Sequence, residues 1–138
     1  MTGPTPRTIA LTVLAFLAVT LFVQAGSHFV VNAEHYAGID IMRAEPIMPL
    51  GILAILVQGT AAALLYPRLE WTDGSVGSGL RFTWMMGAFL ASYIVFAEPA
   101  KYLAPSILDW MLTEASASFL QFTLFGLAIG PIHRSRGV

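Results

Sequence analysis

The chain has 138 residues, enough for one domain, and 57% of them are hydrophobic against 11% charged. That is roughly half the charge of an ordinary soluble domain, and with a mean hydropathy of +0.73 it is more apolar surface than so small a core can bury. The net charge of −1 argues against a nucleic-acid partner, which calls for a basic patch, and the absence of cysteine excludes disulfides, thiolate metal sites and cysteine nucleophiles.

In chain order, the apolar runs predict membrane helices over about 8–31, 46–66, 82–103 and 109–132. About 20 mainly apolar residues are needed to cross the hydrocarbon core. A helix is the form that satisfies its own backbone groups in lipid. The first run follows Arg7 and contains "VQAGS", which has some likeness to a signal-peptide cleavage site. It is longer than the roughly 7–15 apolar residues of a signal sequence, so it reads as a helix. The third run is short unless it passes through Glu98-Pro99, and the fourth qualifies only if Glu114 is tolerated. Between the second and third lies "PRLEWTDGSVGSGLR", whose Pro, Gly and Ser divide the chain into two helical hairpins.

Arg7, Arg68, Arg81, Arg134 and Arg136 fall on the side shared by both termini and the middle loop, and Arg43 and Lys101 on the other. The excess of basic residues places both termini in the cytoplasm. The outer side then carries Glu34, Asp40, Glu45, Glu98 and Asp109 with His28 and His35. Trp84, Trp110, Tyr66 and Tyr102 fall where aromatic belts are expected.

The hairpins share short matches. "AFLA" at 15–18 recurs at 88–91, Gln58-Gly-Thr60 corresponds to Gln121-Phe-Thr123, and Pro67 to Pro131. A parallel internal repeat about an axis along the membrane normal follows from that register, with His28 the counterpart of Lys101. Gly126 and Gly130, four apart, predict a close helix contact, as do Gly59 with Ala63 and Gly87 with Ala91 more loosely.

Thr20, Gln24, Ser27, His28, Asn32 and His35 follow helical spacing and form one polar stripe, and Glu114, Ser118 and Gln121 form another. With Gln58 and Glu98 they are expected to face one another away from lipid, forming a polar cleft that opens outward. The expected ligand-binding pocket is therefore Gln24, Ser27, His28, Asn32, Glu98, Lys101, Glu114, Ser118 and Gln121.

The structural account of the glutamines and serines is interhelical hydrogen bonding, at roughly 0.6–2 kcal/mol each. Asp109 and Glu45 read as helix caps, and Glu98 with Lys101 as an ion pair. Glu114 lies about 7.5 Å along its helix from Asp109, so its carboxyl needs a proton or a cationic partner, His28 or Lys101.

His28 and His35 are about 10.5 Å apart on a continuous helix. They cannot share one metal ion there, and no third histidine on that side would complete a haem site. No metal or other cofactor is assigned. Phosphate-binding glycine loops, serine-nucleophile motifs and zincin helices are also missing from the sequence.

"SHFVVNAEHYAGI", "PIMPLGILAILVQG" and "FLQFTLFGLAIG" give the chain a resemblance to small, uncharacterised four-helix proteins of the bacterial inner membrane. That resemblance implies an all-α integral membrane bundle and no known activity. The expected role is non-catalytic: an accessory subunit or small binding protein, surrounded by membrane lipid, with a protein partner or a second copy. The alternative is a small membrane enzyme or transporter that uses His28, Glu98 and Glu114 to handle protons or substrate.

Overall fold

A computed structural model describes residues 3–40, 43 and 45–134, and every regular element among them is helical. Arg136 of the charge pattern, with Ile41, Met42 and Ala44, lies outside the described residues. The elements are α1 (Pro6–Val31), the short α2 (Ala33–Ala37), α3 (Met48–Arg68), α4 (Val76–Ala97) and α5 (Ile107–His133). α1, α3, α4 and α5, at 26, 21, 22 and 27 residues, are long and apolar enough to cross a membrane.

Local chemistry sets the boundaries. Thr5 caps α1 by accepting from the Thr8 amide, and Pro6 occupies the first turn, where no N–H is needed. α4 begins inside the expected loop, six residues before 82, because Ser75 caps it by accepting from the Ser78 amide. Gly74 makes the turn into that cap with φ of +75°, and a Cβ there would lie 2.6 Å from Arg134 Cα. The expected carboxylate caps are not the caps found. Ser106 caps α5, with Asp109 in its first turn, and α3 starts at Met48, two residues beyond the Glu45-Pro46 pair. Asp109 instead supplies negative charge near the dipole's positive end.

α1 packs against α3 and α5, and α4 packs against α5, giving the order α3–α1–α5–α4. Gly126 and Gly130 set the α4–α5 contact: a Cβ at Gly79 would strike the Gly126 carbonyl, and one at Gly126 would lie 2.9 Å from Leu80 Cα. The main core lies toward the end bearing the termini and joins Phe16, Ala62, Tyr66, Phe82, Phe125 and Ile129. There α3 reaches α4, with Tyr66 edge-on to Phe82 at 5.3 Å and its hydroxyl 2.6 Å from Ser78 Oγ. At the far end α3 stands clear, exposed from Met48 to Ala54.

Two of the expected belt aromatics are core residues instead, Tyr66 at 1% and Trp110 at 5% exposure. Each has a polar handle that finds a partner inside the protein, which makes burial affordable. Trp84 and Tyr102 remain exposed.

α1 and α4 share one irregularity. α1 widens to π turns over Leu21–Ala25 and Ser27–Val31, and α4 does so over Tyr93–Ala97. In the register that aligns Ala15 with Ala88, Leu21–Ala25 falls one residue from the α4 π turn.

Candidate functional site

The π turns bring the polar residues together at the far end. A wider turn rotates the residues that follow and leaves carbonyls without the usual partner. The Asn32 amide bonds to the Ser27 carbonyl at 2.8 Å, which ends α1, and Asn32 Nδ2 donates to Ser27 Oγ at 2.9 Å. The chain then folds back through α2, setting Tyr36 between α1 and α5.

Tyr36 is the hub. Its hydroxyl donates to Glu114 Oε1 at 2.6 Å, with Tyr36 7% and Glu114 6% exposed. The His28 ring stacks on the Tyr36 ring at 3.7 Å and 12°. Burial, followed by the hydrogen bond to Glu114 and its charge, pushes the Tyr36 hydroxyl well above the ordinary phenol range. Contact with Ser27 opposes that rise. The expected partner of Glu114 was a cation, His28 or Lys101; the partner found is a phenol. It keeps its own proton and donates a hydrogen bond to the buried carboxylate without bringing a second charge into the core.

His28 Nδ1 lies 2.9 Å from the Gln24 carbonyl oxygen. A carbonyl can only accept, so Nδ1 carries the proton. Nε2 has no hydrogen-bond partner among the described residues, and it is free to meet a ligand as acceptor when the ring is neutral or donor when it is charged.

A second network joins α1 to α5. Gln24 Nε2 donates to Gln121 Oε1 at 2.7 Å, and Gln121 Nε2 donates to Thr20 Oγ1 at 3.0 Å. These groups satisfy one another, so their chemistry is interhelical bonding.

Glu98, the first residue past α4, is half-buried; that burial and then the charge of Glu114 hold its carboxyl above the ordinary range, partly offset by Lys101. The expected Glu98–Lys101 ion pair is not formed. Lys101 Nζ donates to Tyr93 Oη at 2.6 Å and lies 4.5 Å from the Tyr93 ring centre, and the hydroxyl bond raises its pKa.

Ser118 and Gln58 stand apart from the cluster. Ser118 lines an apolar groove of about 620 Å³ between α4 and α5, with Trp84, Ala91 and Phe119. Gln58 is half-buried on α3. His35 packs edge-on to Tyr36 and Trp110, with Nε2 buried and unpartnered among the described residues. His133 belongs to the opposite end, where Nε2 lies 3.0 Å from Thr12 Oγ1. Among the described residues, no three His, Asp or Glu side chains are grouped to hold a metal ion.

Sequence reasoning missed Tyr36, because it lies beyond the π turns and the end of α1, where helical spacing from His28 no longer applies. Beside it opens a concavity of about 600 Å³ lined by His28, Phe29, Tyr36, Ile39, Asp40 and Arg43. Its size falls within the range of small-molecule sites, roughly 300–1,000 Å³. Comparison with protein-family models, curated proteins and solved structures finds no match to the chain.

Proposed function

We propose that this chain is a non-catalytic, multi-pass protein of a bacterial inner membrane, and that it acts as a small binding protein or accessory subunit. Its pocket lies at the far end, beside His28 and Tyr36. The excess of arginine on the side of the termini supports cytoplasmic termini, so the pocket opens on the outer face.

The observation that carries this reading is how the polar groups divide. Glu114 is closed off beneath Tyr36, and Gln24, Gln121 and Thr20 bond to one another, while His28 Nε2, beside the concavity, has no hydrogen-bond partner among the described residues. A proton-handling site needs its carboxylate within hydrogen-bond reach of the moving proton. Here the buried carboxylate is instead a fixed support for a tyrosine, which in turn supports the histidine. The arrangement suits recognition.

Native mass spectrometry of the protein, extracted gently from its own membrane, tests this. The expected result is a bound small molecule lost in His28→Ala, or an additional subunit. A protein that carries neither, and whose His28→Ala variant is indistinguishable from wild type, would sink the reading.

A further inference from the structure

The concavity beside His28 holds one acid and one base that do not pair with each other. Asp40 and Arg43 both line it, both are exposed, and no ion pair joins them among the described residues. The lining also has an apolar part, to which Phe29, Ile39 and Pro46 contribute. Phe29 is 63% exposed at the end of α1, so this apolar part of the lining also reaches the outer surface of the helix. We infer that the concavity binds the zwitterionic headgroup of an aminophospholipid, phosphatidylethanolamine in chemistry.

The groups match in kind. Arg43 offers planar N–H donors to a phosphate, and a charged His28 Nε2–H adds one more. Asp40 accepts from a primary ammonium, which carries three N–H donors. The glycerol and upper acyl carbons lie against Phe29 and Pro46. A purely anionic headgroup would leave Asp40 facing like charge, and a purely cationic one would leave Arg43 doing so. A zwitterion satisfies both.

This assignment rests on the proposed binding function and sharpens it. The test reconstitutes the full chain in nanodiscs of dioleoyl-phosphatidylethanolamine, -phosphatidylcholine and -phosphatidylglycerol in equal amounts, with retained lipid read by native mass spectrometry. Phosphatidylcholine keeps the phosphate and the positive charge but has no N–H to give, so its comparison with phosphatidylethanolamine isolates the Asp40 bond. The expected result is about threefold enrichment of phosphatidylethanolamine over phosphatidylcholine, the size of an exposed charge-assisted contact. Asp40→Asn should abolish that preference, and Arg43→Gln should lower retention of both lipids. Soluble O-phosphoethanolamine should displace the lipid from wild type better than phosphocholine or inorganic phosphate does, a comparison that needs no variant.

Equal retention of the three lipids, enrichment of phosphatidylglycerol, or a preference that survives Asp40→Asn overturns the assignment. If the protein from its own membrane then still carries a subunit or a non-lipid molecule lost in His28→Ala, the binding function stands without this ligand. If it carries nothing, both fall.

Discussion

Trp110 donates its indole N–H to the Ile94 carbonyl at 3.0 Å, across the contact between α5 and the end of α4. That carbonyl is orphaned twice. The π turn sends the Glu98 amide to Tyr93, at 3.0 Å, and the next residue in π register is Pro99, which has no N–H. A buried carbonyl left without a donor costs about 1–3 kcal/mol. Trp110→Phe keeps most of the packing and should destabilise the protein by about that amount. In a Pro99→Ala background, residue 99 regains an amide, so the same substitution should cost less. A double-mutant cycle from melting in detergent checks this, and purely additive effects would show that the indole acts through packing alone.

Tyr36 and Glu114 form a buried pair in which the hydroxyl donates and the carboxylate accepts. Tyr36→Phe removes the donor and strands the carboxylate, a loss of about 1–3 kcal/mol. Glu114→Gln keeps an oxygen that can accept from Tyr36, so it should cost less. Thermal unfolding of the two variants gives the order directly. A Glu114→Gln variant at least as damaged as Tyr36→Phe would mean that the charge itself is used.

The helices were legible in the sequence because length and apolarity are local properties. The first helix was expected over 8–31 and is found at Pro6–Val31, and the glycines at 126 and 130 do meet another helix. The stripe of Thr20, Gln24 and Gln121 was equally readable, since helical spacing places it. What escaped depended on breaks in that spacing. π turns carry no simple sequence signal, and they decide that Trp110 meets Ile94 and that Tyr36 swings over Glu114. Ser118 was drawn into the cleft by an unbroken periodicity that says nothing about which neighbour each side of α5 meets; it lines the groove toward α4 instead.

Gly79 and Gly77 give a paired test of close packing on one helix. A Cβ at Gly79 meets the Gly126 carbonyl and lies 3.0 Å from the Gly130 amide nitrogen, whereas at Gly77 the nearest atom is Ser75 Oγ at 3.7 Å. Gly79→Ala should force α4 from α5 and cost about 1–3 kcal/mol, as overpacking does. Gly77→Ala should be neutral or stabilising by up to about 1 kcal/mol, because alanine is the better helix former. Equal melting temperatures for the two would remove the glycine contact as the basis of the hairpin.

Glu98 gives the protein a pH dependence whose sign can be worked out. Its carboxyl, one residue past the membrane-length stretch Val76–Ala97, is held above its ordinary value of 4.5 by partial burial and then by Glu114. The folded state therefore binds this proton more tightly than the unfolded state does. The stability it contributes is full below about pH 4.5 and is lost as pH rises through the higher folded-state value. Glu98→Gln, which cannot ionise, should match wild type near pH 4 and melt higher than wild type at pH 7. In a Glu114→Gln background the gap at pH 7 should narrow without closing, because the repulsion is removed while the burial remains. Melting curves in detergent across pH 4–8 measure both gaps. Wild-type and Glu98→Gln curves that run parallel over that range would show that Glu98 titrates alike in the folded and unfolded chains.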